Sequence, residues 1–138
     1  MRLVRVLNAR KGSVLGARVG VAETRWARLR GLLGRPEPRP GEGLLLVHCR
    51  GVHTYGLTYG LDVLFLNAWG RVVHAHRDLP PGTVTGWYRR VRYALEVPVG
   101  TLTATATEVG DPIVWVPVRG EDGMIHRVPL SRQWERAL

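Results

Sequence analysis

The sequence predicts an α+β fold, mostly β: a small curled antiparallel sheet or barrel with one main helix at about residues 25–33. Three observations lead there. Short apolar or alternating runs of strand length recur along the chain, separated by Gly, Pro, Asn and Asp. Only the stretch from Thr24 to Gly34 shifts to a helical period. The length of 138 residues, 45% hydrophobic and 22% charged, suits a single domain, 1–138, with an ordinary core.

Residues 2–8 read as a strand, and the turn formers of 8–12 lead into a second at 13–21, which together predict an N-terminal hairpin over 2–21. Thr24 is a good N-cap, Gly34 stands where a C-terminal glycine belongs, and Trp26, Leu29, Leu32 and Leu33 are spaced for one apolar face. The prolines and glycines of 35–43 make a loop. Strands follow at 43–49, 61–67 and 71–78, the last two joined by the turn Asn67-Ala68-Trp69-Gly70. Pro80-Pro81-Gly82 ends that meander, 82–90 is loop, and 91–97 returns to strand. The run Thr101–Thr107 fits a strand or a short turn. After the turn at 109–112, strands at 113–118 and 124–130 predict a C-terminal hairpin and tail over 113–138, with a helical turn from Ser131 to Trp134.

Composition excludes several classes. One cysteine, Cys49, rules out an internal disulfide and a four-cysteine zinc site. No apolar run is long enough to span a bilayer, so no membrane partner is expected. Arg2 and Arg5 are followed by neither a continuous apolar core nor a cleavage site, which predicts a cytoplasmic protein. The chain carries net charge +9 and a single lysine, Lys11, with every other basic residue an arginine. Amides are scarce, as in heat-adapted proteins. The charge favours anionic partners, yet it is dispersed, its densest groups lying at Arg25, Arg28, Arg30 and at Arg89, Arg90, Arg92.

A longer pattern joins these pieces: Arg28-x-x-Gly31-Leu32-Leu33, an apolar strand, His53-Thr54-Tyr55-Gly56-Leu57, Asp62-Val63-Leu64-Phe65-Leu66, Gly70-Arg71-Val72-Val73, Pro80, Ala94-Leu95-Glu96, Gly100 and Gly110-Asp111. In order and spacing it resembles the bacterial and archaeal family catalogued as domain of unknown function number one hundred and ninety-two, over about residues 22–115. The resemblance implies a β-rich domain carrying a helix and no established activity. Where many members have a Trp-Met-Lys-Asn type segment, this chain has His53-Thr54-Tyr55-Gly56, similar to another branch.

The segment from Cys49 to Gly56 is the most polar interruption between two apolar strands, and loops held by rigid strands are where sites collect. His53 offers an imidazole suited to acid or base work, and Thr54 offers a hydroxyl. Asp62 opens an otherwise apolar strand and needs a partner if buried, which Arg28 or Arg50 could provide, and Asp62 and Glu96 together would keep the cationic side chains in place. Arg28, His53, Thr54, Asp62 and Glu96 are therefore the candidate ligand-binding set, the alternative being a structural polar network. His74, His76 and Asp78 share one strand face, a pattern that a solvated face explains as well as a metal would; no metal and no cofactor are expected. Cys49 reads more readily as a buried thiol than as a nucleophile. Walker and Rossmann phosphate loops are absent from the sequence.

The favoured function is a non-catalytic binding or accessory module for a small polar or anionic ligand or a protein partner. One alternative is a small hydrolase-like enzyme with His53 as general base. Another is nucleic-acid binding through an Arg-rich face, with Trp87, Tyr88, Arg89 and Arg90 as the contact group.

Overall fold

Asn8 and Gly12 turn the chain back on itself: Gly12, at φ 66, donates its N–H to Asn8 O at 3.0 Å. The two strands so joined are β1 (Leu3–Asn8) and β2 (Ser13–Ala22), an antiparallel hairpin. The structure is a computed structural model and describes residues 1–118; the expected strand at 124–130 and the helical turn at 131–134 lie outside the described residues. Beyond the hairpin come α1 (Arg25–Arg30), β3 (Glu42–Val47), β4 (Leu61–Leu66), β5 (Val72–Leu79), β6 (Tyr93–Val97), α2 (Thr101–Ala104) and β7 (Ile113–Pro117). They form one seven-stranded sheet in the order β5-β4-β6-β3-β2-β1-β7.

The sheet is mixed, not antiparallel as the sequence suggested. β3 runs parallel to β2, with Val21 opposite Leu45, while the other pairs are antiparallel. The cause is α1: a parallel pair needs a crossover, and the helix with its proline loop returns the chain to the end where β2 began. The sheet then curls into a half-barrel. Its two edge strands meet at one end, where Ile113 N–H bonds Gly70 O at 2.8 Å and Val72 N–H bonds Asp111 O at 3.0 Å.

Both faces of the sheet are buried, which is why Leu44-Leu45-Leu46 and the whole of β4 show no polar alternation beyond Asp62. The interior cluster draws on all seven strands, through Val4, Val19, Leu45, Leu64, Val72, Leu95 and Ile113. Leu102 of α2 plugs it. The opposite face carries Leu44, Leu46, Val63, Phe65 and Ala94, covered by Leu32 and by loop residues such as Val52 and Leu57.

α1 is shorter than its apolar spacing suggested. Thr24 Oγ1 accepts from Ala27 N–H at 3.0 Å as expected, but the helix stops at Gly31, not near Gly34. Gly31 adopts φ 53, ψ −128, a region essentially reserved for glycine, and closes the helix by donating to Ala27 O at 2.9 Å. The turn releases Leu33 from the predicted apolar face. Leu32 is buried, whereas Leu33 and Trp26 are exposed.

The undecided threonine run becomes α2 and the turn after it. Thr105 and Thr107 hydroxyls bond each other at 2.7 Å, and the buried Asn8 amide donates to Thr107 Oγ1 at 3.1 Å and Asp111 Oδ2 at 2.9 Å. Asn8 Oδ1 also accepts from the N–H groups of Arg10 and Lys11. Asn8→Ala would strand these groups, and its urea midpoint should report a loss of about 2 kcal/mol. An unchanged midpoint would show that the clasp contributes nothing. Among the described residues, no helix is long and apolar enough to cross a membrane.

Candidate functional site

Strand alternation decides which candidate residues can meet. Along β6, Ala94 joins the outer cluster while Leu95 and Val97 join the interior one. Glu96 therefore faces outward, under α1. Asp62 has the parity of Leu64 and Leu66 and faces the interior, on the other side of the sheet from Glu96. Its carboxylate accepts three backbone N–H groups: Asp78 at 2.8 Å, Gly100 at 3.1 Å and Leu102 at 3.0 Å. Asp62 thus anchors the start of α2 and the bent end of β5, where Asp78 sits at φ 50.

Thr54 is also buried, and its hydroxyl is committed to backbone. It donates to Pro80 O at 2.7 Å and accepts from Thr83 N–H at 2.8 Å. Around it, residues 50–54 and 82–88 are cross-pinned by Thr54 N–H to Thr83 O, Gly82 N–H to Thr54 O, Thr85 N–H to Val52 O and Tyr88 N–H to Arg50 O. Gly51 permits this approach, because a Cβ there would lie 2.7 Å from Gly86 O. Two irregular loops become one stiff wall.

Between that wall and α1 lies a cavity of about 640 Å³, within the roughly 300–1,000 Å³ typical of small-ligand sites. Leu32, Leu46, Val52 and Leu57 give it apolar sides. Arg25, Arg28, Arg30, His48 and His53 bring basic groups to it, and Glu96 is its carboxyl. Trp26, 69% exposed, and Trp87, 76% exposed, also line it, so two indoles that could have closed a core stand at an opening instead. Of the five candidate residues, the structure brings Arg28, His53 and Glu96 together and leaves Thr54 and Asp62 outside.

Arg28 is held by its guanidinium, which donates to Val47 O at 3.2 Å at the end of β3. His53 is exposed, its ring 5.7 Å from that of Tyr55. Among the described residues, no hydrogen bond joins His53 to a carboxylate. Glu96 is only 5% exposed, and no described residue donates a hydrogen bond to its carboxyl. Burial pushes its pKa up to about 7, against the opposing pull of the Arg35 guanidinium. Cys49 donates to Gly51 O at 3.2 Å, and burial raises its thiol to about 11, so it is protonated at neutral pH and poorly nucleophilic.

The second candidate group divides. Trp87 lines the cavity, and Arg89 and Arg90 are exposed, but Tyr88 is part of the packing. Its ring stacks on His74 at 3.8 Å and meets the edge of Phe65 at 5.0 Å, and its hydroxyl lies 3.1 Å from His76 Nε2. Burial and the neighbouring His74 lower the His76 pKa. Among the described residues, no group of three or more His, Cys, Asp or Glu could hold a metal ion.

Sequence reasoning missed Trp26, Gly31, Leu46, His48 and Leu57 as cavity residues. Gly31 was already visible in the Arg28-x-x-Gly31 pattern. Trp26, Leu46 and Leu57 carry no polar signal that separates a cavity wall from a core, and His48 directly follows an apolar strand.

Fold and site together define a class: a mixed half-barrel whose outer face holds a helix, a pinned double loop and an open apolar cavity over a buried acid. The chain belongs to the DUF192 family, described as "Uncharacterized ACR", whose profile matches residues 6–115. It is 30% identical over 122 residues to a UPF0127 protein of Thermococcus sibiricus, covering 80% of this chain and 73% of that one. Two crystal structures share the fold. One, a protein of unknown function from Novosphingobium aromaticivorans, gives a TM-score of 0.71 at 22% identity, covering 82% of this chain and 84% of that one. The other, from Sinorhizobium meliloti 1021 and described as a "putative transcription regulator", gives 0.70 at 25% identity, covering 83% and 92%.

Proposed function

We propose that this protein is a non-catalytic binding module whose cavity between α1 and the pinned loops takes one small amphipathic ligand. The observation that carries this reading is the Glu96 carboxyl, buried and without a described hydrogen-bond donor, at an open apolar cavity. A purely structural acid in such a place would normally be paired. The arginines and histidines of the same cavity suit an anionic group on the ligand, and the indoles suit a planar or alkyl body. A general-base role for His53 has less support, since no described carboxylate orients it.

A thermal-shift screen with aromatic and alkyl carboxylates, sugars, nucleotides and oligonucleotides tests the reading. Ligands that bind the folded state raise the melting temperature by mass action, about 2.7 kcal/mol of stabilisation at a hundredfold excess over Kd. Small apolar anions are expected to give the shifts, and Trp87→Ala and His53→Ala to reduce them at least severalfold. Shifts confined to oligonucleotides and abolished by salt would replace this reading with nucleic-acid binding.

A further inference from the structure

Charge in the cavity is arranged asymmetrically. Among the described residues one carboxyl, Glu96, is buried beneath α1, whereas the basic groups belong to half-exposed or exposed residues of α1 and of the chain after β3: Arg25, Arg28, His48 and His53. Apolar walls of Leu32, Leu46, Val52 and Leu57 complete the lining. The helix side of the acid is also kept bare. A Cβ on Gly31 would stand 3.3 Å from Glu96 Oε1, and the glycine there leaves that oxygen uncovered.

We infer that the ligand is bifunctional: it carries a basic, hydrogen-bond-donating nitrogen that reaches Glu96 and an anionic group that meets the arginines, on an apolar or aromatic body. This deepens the binding reading above and rests on it. A ligand with only an anion would bring the buried carboxyl no hydrogen-bond donor and add like charge near it. A ligand ammonium satisfies it, and a charge-assisted bond in an apolar surround is stronger than one at the surface. A donor also suits either state of the acid, since a carboxylate and a carboxylic acid both accept.

The titratable and charged groups around Glu96 set the pH behaviour. Among the described residues they are Arg25, Arg28 and Arg30 of α1, Arg35 after it, Cys49, Tyr59, His48 and His53. Cys49 and Tyr59 are both raised by burial, to about 11 and about 12, so neither ionises between pH 5 and 8. The part of a low-pH loss of amine affinity that is absent from Glu96→Gln is what reports Glu96.

The test uses matched probes in calorimetry on the full chain: 4-(aminomethyl)phenylalkanoates of two to five methylenes, and the same acids with methyl in place of aminomethyl. On the wild type at pH 8 the best amino probe is expected to bind at least about tenfold tighter than its methyl analogue. That preference should shrink severalfold at pH 5 and at least as much in Glu96→Gln. Equal binding of the two probes to the wild type overturns the inference while leaving the cavity reading intact. Binding of neither overturns both. Carbon-13 titration of the wild-type Glu96 carboxyl removes dependence on the variant: the amino probe should lower its midpoint by at least about one pH unit, and an unmoved midpoint sinks the proposal.

Discussion

Asp62→Ala is expected to lower the unfolding free energy by about 3–5 kcal/mol, among the most damaging single changes in the described chain. The carboxylate accepts three N–H groups, from Asp78, Gly100 and Leu102, in a site only 1% exposed. Alanine fills none of that demand: the buried Leu102 N–H left without an acceptor costs about 1–3 kcal/mol, and the part-buried Asp78 and Gly100 N–H groups lose charge-assisted bonds. Asp62→Asn keeps one oxygen and should recover part of the loss. Urea unfolding of both variants gives the comparison. Because Asp62 faces the interior and Glu96 the cavity, any folded fraction of Asp62→Ala should retain ligand affinity. Stability near that of the wild type would contradict the anchoring role.

Glu96→Gln should act in the opposite direction. Its carboxyl is raised from 4.5 to about 7 in the folded protein, chiefly by burial. The folded state therefore holds the proton more tightly than the unfolded chain does. Its contribution to stability is complete below about pH 4.5 and is lost as pH rises toward 7. Across that window the wild type should lose about 3 kcal/mol relative to Glu96→Gln, then run parallel to it above pH 8. Urea midpoints of both proteins between pH 4 and 9 give the difference directly, with the other carboxylates cancelling. Curves parallel throughout would mean that Glu96 ionises in the fold as easily as in water. Retaining an acid that weakens the protein at neutral pH is what a binding role would explain.

The strands were legible because turn formers separate runs rich in apolar residues: Asn8 to Gly12, Asn67 to Gly70 and Pro80 to Gly82 all fall at the ends of observed strands or between them. The parallel β2–β3 pair was not legible, since strand direction depends on where a crossover lands, which no local pattern encodes. The early end of α1 was hidden because Leu32 and Leu33 keep the helical spacing while Gly31 reverses the backbone between them and Arg30. In the site, polarity pointed to the right neighbourhood but could not tell the sheet's faces apart. Asp62 and Glu96 had the same expected role, holding the cationic side chains of one pocket. Register against the neighbouring strands puts one inside and the other out. Thr54 was singled out for its hydroxyl, which is occupied by the backbone it pins.

The placement of β1 between β2 and β7 has a kinetic consequence. Its pairing with β2 closes through a tight turn and can form within microseconds. Its pairing with β7 joins Val4 to Pro117, nearly opposite ends of the described chain, as does the bond from Ala9 N–H to Pro112 O. Closing so long a loop is entropically costly before any contact repays it, and such topologies fold in milliseconds to seconds. The hairpin is thus ready long before the strand that completes it. Until β7 arrives, one edge of β1 is open to pairing with other chains, so refolding yield should fall as protein concentration rises.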